Sequence, residues 1–245
     1  MFDWQGLYYI EKVLSRMKDP VAFDIGANLG NHTVVMARIC KRVCSFEPQL
    51  RTGIRLNDNL SFNNINNVST FDFGLSNENT IKSIYVSKSG NGGATTFVSS
   101  LARPGAAKVE AMNLRVGDEV SAENGIDGLD LIKIDVEGYE AQALLGLKAT
   151  ISRFRPIIFM EWNNDATRSS FSKEHLFDCL FPGWQISSIQ GSSSRNRYKA
   201  TFSGKVSRLL NKVFRPKTAL LDDFDHSRKY GNIIICPPEK MSLLA

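Results

Sequence analysis

Five carboxylates stand at or beside the ends of five short apolar runs: Asp24, Glu47, Asp72, Asp135 and Glu161. Carboxylates so placed can accept hydrogen bonds from hydroxyls, balance a cation or take up a proton. Each alone is a common helix cap or surface charge; the five together describe one acidic rim. The first heads a glycine-rich turn, Asp24-Ile25-Gly26-Ala27-Asn28-Leu29-Gly30-Asn31-His32, of the kind that lets a ligand approach the backbone closely. A dinucleotide pyrophosphate calls for Gly-x-Gly-x-x-Gly at a helix N-terminus. The spacing here is Asp-x-Gly-x-Asn-x-Gly, and its leading acid suits a ligand that carries an ammonium and a sulfonium. S-adenosylmethionine answers that description. Glu47 follows the turn by roughly twenty residues, the place for a carboxylate that accepts from both ribose hydroxyls. Asp72 falls near where an adenine amino group would lie, or else caps the Gly74-Leu75-Ser76 turn. The expected cofactor set is Asp24, Gly26, Asn28, Gly30, Glu47, Asp72 and Gly74.

The second constellation is Ile132-Lys133-Ile134-Asp135-Val136-Glu137-Gly138-Tyr139-Glu140. A lysine inside a buried strand is expensive unless it is paired, and Asp135 or Glu137 is the expected partner. A hydroxyl that attacks a methyl donor must lose its proton, so a carboxylate within hydrogen-bond reach is needed as acceptor. Asp135 is the first candidate base, with Glu137 and Glu161 beside it; His32, at the start of the first helix after the turn, is a further one. Asp135, Glu137, Glu161 and Asn163 are also hard oxygen ligands of the type magnesium accepts. Their order in the sequence fixes no coordination geometry, and no metal is assigned.

Elements must bring these groups together. Val21–Ile25, Arg42–Phe46, Val68–Phe73, Leu129–Ile134 and Pro156–Met160 read as strands, and Trp184–Ile189 and Asn232–Cys236 as the last two. Helical patterns follow from about Asn31 to Ile39, through Leu50, Ile54 and Leu60, over Tyr139–Leu147, and over Phe171–Leu180 up to Pro182-Gly183. This alternation predicts an α/β doubly wound sheet with helices on both faces. Ligands bind such sheets beyond the carboxyl ends of the strands, where the strand order reverses. Residues 81–112 interrupt the rhythm as an inserted hairpin or loop pair around Ser89-Gly90-Asn91-Gly92-Gly93. Residues 191–217 form a basic segment without acids, in which Val206, Leu209, Leu210, Val213 and Phe214 mark one helical face.

With 245 residues and no clear linker, the chain reads as one domain over 1–245. A formal charge of +5 is too mild to argue for nucleic acid. The four cysteines form no Cys-x-x-Cys pair and read as reduced thiols rather than a zinc site. Residues 1–20 carry Leu7, Ile10, Leu14 and Met17 at helical spacing, an amphipathic helix and not a signal peptide. A cytoplasmic location is expected. The basic segment can lie on solvent, or it can meet an anionic membrane or a lipid-linked substrate.

Taken in order, Asp24 to Gly30, Phe46-Glu47-Pro48, Gly74-Leu75-Ser76, Ile134 to Glu140 and Arg155-Pro156 through Glu161 resemble the FkbM family of S-adenosylmethionine-dependent methyltransferases. The resemblance covers Val21 to about Asn163 and, more weakly, the strand that ends in Pro237. It implies a class I methyltransferase (Rossmann-like) fold of seven strands, mostly parallel with the last strand antiparallel. It also implies O-methylation of a sugar, glycan or natural-product hydroxyl, a small-molecule or glycan acceptor rather than nucleic acid. Asn91-Gly92-Gly93 looks like the family's glycine-rich segment, whereas Arg115 stands where the family often places an acid. Two other readings compete: a nicotinamide-dependent oxidoreductase, which lacks its Gly-x-Gly-x-x-Gly here, and a non-catalytic binding protein that kept the fold. A nucleic-acid methyltransferase would carry Asn/Asp-Pro-Pro-Tyr/Phe after the fourth strand, in place of Asp135-Val136-Glu137-Gly138.

Overall fold

A computed structural model describes residues 4–86, 107–191 and 219–245. Five parallel strands make the centre: β1 (Val21–Ile25), β2 (Arg42–Phe46), β3 (Val68–Phe71), β7 (Leu131–Ile134) and β8 (Ile157–Glu161). β1 and β7 are buried along their whole length, which is why they read as continuous apolar runs rather than alternating ones. Three further strands, β9 (Gln185–Gly191), β10 (Ala219–Asp223) and β11 (Asn232–Cys236), complete a sheet of order β10-β9-β11-β8-β7-β1-β2-β3. β11 runs antiparallel between β8 and β9, and β10 antiparallel along β9. The order reverses beside β1, between β2 and β7.

Side-chain parity divides the core in two. Phe23, Ile25, Ile132, Ile134, Ile158 and Met160 point to one face, where α5 (Glu140–Gly146) and α6 (Lys148–Phe154) contribute Leu144 and Ile151, with Leu147 between the two helices. Ala22, Leu131, Ile157 and Phe159 point to the other, under α1 (Trp4–Leu14) and α2 (Asn31–Ala37), which supply Ile10, Leu14 and Met36. Asp24 and Lys133 belong by parity to this second face.

Several expectations are corrected. The main sheet has eight strands, not seven, because β10 extends the edge beyond β9. Gly74–Ser76 is not a turn but β4, which joins β5 (Thr80–Val86) and β6 (Ala107–Val116) in a second sheet of order β4-β6-β5. β5 and β6 are the antiparallel arms of the expected 81–112 insertion; its Ser89 to Gly93 region lies outside the described residues. β3 stops at Phe71, which leaves Asp72 outside the strand. The expected helix over Phe171–Leu180 is two, α7 (Asp165–Lys173) and α8 (Leu176–Leu180), because His175 takes a left-handed backbone with φ 48°. Of the basic segment 191–217, only Gly191, the end of β9, lies among the described residues. Among the described residues no helix is long and apolar enough to cross a membrane.

Candidate functional site

The turn after β1 is built from left-handed backbone. Gly26 has φ 78°, Asn28 52° and Gly30 87°, values that glycine takes freely and asparagine tolerates. Gly26 meets a second requirement: a Cβ there would fall 2.0 Å from the carbonyl oxygen of Asp135. The turn after β1 and the loop after β7 are therefore in backbone contact. Gly30, just before α2, would drive a Cβ to 2.4 Å from Leu56 Cδ1. The amides of Gly26 and Ala27 donate to the Phe46 carbonyl at 3.0 and 3.1 Å, and that of Gly30 to Ala27 at 2.9 Å.

Glu47 follows β2 and is buried. Its Oε2 accepts from the Asn28 amide and its Oε1 from the Gln49 amide, both at 2.9 Å. Burial pushes its pKa up, against the lowering pull of those two amides and of Lys133. A carboxylate has about four lone-pair sites, so two remain. Glu47 lines a cleft of 390 Å³ between β3 and α3 (Leu50–Phe62), together with Leu50, Gly53, Ile54, Phe71 and Asp72 among others. Leu50 and Ile54 are exposed at 63% and 52% because they form an apolar wall of this cleft and not part of the core. Of the five acids expected in one rim, Glu47 and Asp72 line this cavity.

Asp24 does not join them there. It sits inside β1, one residue short of the strand end, and is fully buried. Its Oδ2 accepts from Thr33 Oγ1 at 2.6 Å, and Thr33 Oγ1 accepts from Ser45 Oγ at 3.2 Å. Its Oδ1 lies 3.4 Å from Lys133 Nζ. Lys133 therefore pairs first with Asp24; Asp135 follows at 3.9 Å. Burial works to lower the Lys133 pKa, but Asp24, Asp135 and Glu161 outweigh it and hold the ammonium above its ordinary value.

At the ends of β7 and β8, oxygens of Asp135, Glu137 and Glu161 lie within 4.8 Å of one another. All three residues are half-buried. Glu161 Oε1 accepts from Asn163 Nδ2 at 2.6 Å, and its Oε2 is buried without a hydrogen bond among the described residues. Burial first, then the charges of Asp135 and Glu137, push the Glu161 pKa to about 9. Near neutrality Glu161 holds a proton beside an acceptor carboxylate, the division of roles that two crowded acids adopt. The spacing also suits a divalent cation bridged by carboxylate oxygens, although Lys133 already brings positive charge beside Asp135. Glu137 is itself left-handed, with φ 52°. The loop is clamped from below by Glu140, fully buried, whose carboxylate accepts from the amides of Val136 and Gly138 and from the Thr167 hydroxyl. His32 occupies the first turn of α2, half-buried.

The family model described as the methyltransferase FkbM domain matches residues 24–182, from Asp24 in β1 to Pro182 just after α8. The chain belongs to the FkbM methyltransferase family. Among curated proteins, the 2-O-methyltransferase NoeI of Sinorhizobium fredii is 27% identical over 163 residues, 60% of this chain and 64% of NoeI. The match thus spans less than two thirds of that relative. Among solved structures, the methyltransferase FkbM from Methylobacillus flagellatus KT aligns with a TM-score of 0.51 and 16% identity, over 90% of this chain and 44% of that one. Cofactor-bound Rv0187 from MTB gives 0.51 and 11%, over 96% and 80%. At these identities the two structures establish a shared fold.

Within this FkbM chain, the sequence motifs divide by what they do. Glu47 and Asp72 line the cleft; Asn28 braces Glu47; Gly26 and Gly30 allow close packing of the turn. Gly74 is not among the residues that line the cleft; in β4 it makes room for Leu114 and Pro48, 2.7 and 3.6 Å from where a Cβ would be. Arg115, where the family often has an acid, pairs with Glu123 at 2.7 Å and lies over the Phe73 ring. Sequence reasoning missed the Asp24–Lys133 pair and the clamp made by Glu140. The first had a signal: both residues lie two positions before a strand-end loop residue, and neighbouring parallel strands of equal reach put such positions side by side. The second had none, because an acid at the start of a helix is ordinary.

Proposed function

We propose that the chain is an S-adenosylmethionine-dependent methyltransferase that methylates a hydroxyl of a sugar, glycan or natural product. The observation that carries this is an apolar-walled cleft lined by both Glu47, braced by two backbone amides with acceptor capacity left over, and Asp72. An adenosine has matching chemistry: two vicinal hydroxyls that donate, a flat apolar ring and an amino group. S-adenosylmethionine supplies an electrophilic methyl on a sulfonium. Glu47 and Asp72 would hold its adenosine end, and the ends of β7 and β8 would flank the acceptor hydroxyl beside the reacting methyl. Asp135 takes the acceptor's proton, Glu161 keeps its own and donates a hydrogen bond, and Glu137 closes the third side. His32, in the first turn of α2, remains a second candidate base. Transfer to oxygen is supported by the likeness to NoeI, named as a 2-O-methyltransferase.

One observation weighs against the nicotinamide reading. The amides of Gly26, Ala27, Asn28 and Gly30 are all bonded inside the protein, so they are not free to cradle a pyrophosphate. All four cysteines are free thiols, which suits the cytoplasm. We extend the proposal to the basic residues 191–217 as a contact for an anionic membrane or lipid-linked acceptor; salt-sensitive cosedimentation with anionic but not neutral vesicles is the expected result.

Calorimetric titration tests the donor assignment. S-adenosylmethionine should bind with a measurable heat and NADH should give none; the reverse result overturns it. A labelled-methyl screen of hydroxylated glycans against amines then tests the acceptor class.

A further inference from the structure

Resting on the donor reading above, we propose that Lys133 is a positioning residue that couples the cofactor turn to Asp135. Lys133 and Asp24 are register partners on neighbouring parallel strands, so both side chains point to the same face, under α2. The ammonium makes three contacts. Nζ donates to the Gly26 carbonyl at 3.1 Å, lies 3.4 Å from Asp24 Oδ1 and 3.9 Å from Asp135 Oδ2. No hydrogen bond reaches Asp24 Oδ1 among the described residues; its compensation is this charge. Asp24 passes the link on to Thr33 in α2 and through it to Ser45 in β2. One cation thus ties the turn that braces Glu47 to the carboxylate that receives the proton.

A buried ion pair is a poor way to stabilise a fold, because apolar residues of similar volume often do as well or better. What an apolar side chain cannot do is hold a turn carbonyl and two carboxylates at once. Removing the ammonium frees the Gly26 carbonyl and leaves Asp24 and Asp135 to repel each other through a buried, low-dielectric path. Glu161 and Glu47 also feel the Lys133 charge, so the disturbance reaches both ends of the site. Lys133 has no place in the cleft lining; it acts through its neighbours.

The test uses the full chain and S-adenosylmethionine as probe. Lys133→Met should weaken binding by about tenfold or more. Because that variant leaves a buried acid unpaired, Asp24→Asn/Lys133→Met is made as well; it should fold with a melting temperature near wild type and still bind about tenfold more weakly. Equal affinity for the double variant and wild type overturns the proposal. Coupling to Asp135 is read by a cycle: Asp135→Asn alone should change affinity by less than about twofold, but in the Lys133→Met background it should restore about threefold or more. Independent effects overturn that link. A donor-free readout separates the two readings. Amide hydrogen exchange should rise in both 26–30 and 135–138 on Lys133→Met. If wild type binds no S-adenosylmethionine yet both segments loosen, the donor assignment falls and the coupling stands; if only one segment loosens, the coupling falls.

Discussion

The two ends of the site are built on opposite plans. At β2, one carboxylate is buried and fixed: Glu47 is pinned by backbone amides of Asn28 and Gln49. At β7 and β8, three half-exposed carboxyls crowd within 4.8 Å, and one of them, Glu161, is driven to keep its proton. A binding group gains from being rigid and satisfied, because its hydrogen bonds must be ready before the ligand arrives. A group that moves a proton gains from being unsatisfied and close to neutrality. The separation of these plans supports the assignment of the adenosine end to one side and the reacting end to the other.

The sharpest way to break the contrast is to break the contact that joins its two sides. Gly26→Ala puts a methyl 2.0 Å from the Asp135 carbonyl oxygen on a backbone with φ 78°. Neither atom is a flexible side-chain end, so the strands must part. The expected loss is more than about 3 kcal/mol of stability, read as a fall in the denaturant midpoint, with both cofactor binding and turnover lost. A variant that melts like wild type would mean the two loops are free to separate.

The next two substitutions should divide the ends cleanly. Asp135→Asn should cut methyl transfer by about 100-fold or more, the usual worth of a general base, and leave S-adenosylmethionine affinity within about twofold. Unchanged turnover would move the base to Glu137 or His32. Glu47→Ala should do the reverse. It removes hydrogen bonding to the donor, of which one bond to a charged acceptor is worth about 1.5–3 kcal/mol, and frees the Asn28 amide, so affinity should drop by about 10- to 100-fold or more while the rate at saturation changes less. Glu47→Gln, which keeps one acceptor oxygen, should fall between. A Glu47→Ala protein with intact affinity would remove the cleft from the cofactor's path.

How far the sequence foretells this site follows from the same contrast. The place of Glu47 at the tip of β2 was legible because its parts are local, a strand with an acid after it; that its carboxylate meets the Asn28 amide was not. The central parallel strands and the antiparallel last strand were legible too, as buried apolar runs at regular intervals. The strand Val21–Ile25 has the expected bounds with Asp24 inside it, but a motif that shows an acid near a strand end does not show where its carboxylate turns. Inside, it turns to Thr33 and Lys133 instead of the cavity. β4 was read as a turn because three residues carry no period; its partner β6 is far away in sequence. His175 split a helix that the apolar pattern ran straight through, for left-handed backbone at a non-glycine residue leaves little trace in the sequence.

The smallest effect concerns the crowded end alone and has a definite sign with pH. The ordinary value for a glutamate is 4.5, and in the folded protein Glu161 stands at about 9, chiefly through burial and then through Asp135 and Glu137. Between those values the folded state holds a proton that the unfolded state has lost, so stability falls as pH rises through the window and levels above it. Glu47 and Glu140 are shifted the same way, again by burial first, and add to the slope. Lys133 is raised from 10.5; its contribution is complete below that value and disappears only as pH climbs past it, outside this window. Glu161→Gln keeps the shape and the donor of the protonated acid without the ionisation. Its melting temperature should match wild type near pH 5 and exceed it by about a few degrees at pH 8, with a shallower decline between. Parallel curves for the two proteins would show that Glu161 ionises normally in the fold, and the contrast between the ends would then rest on spacing alone.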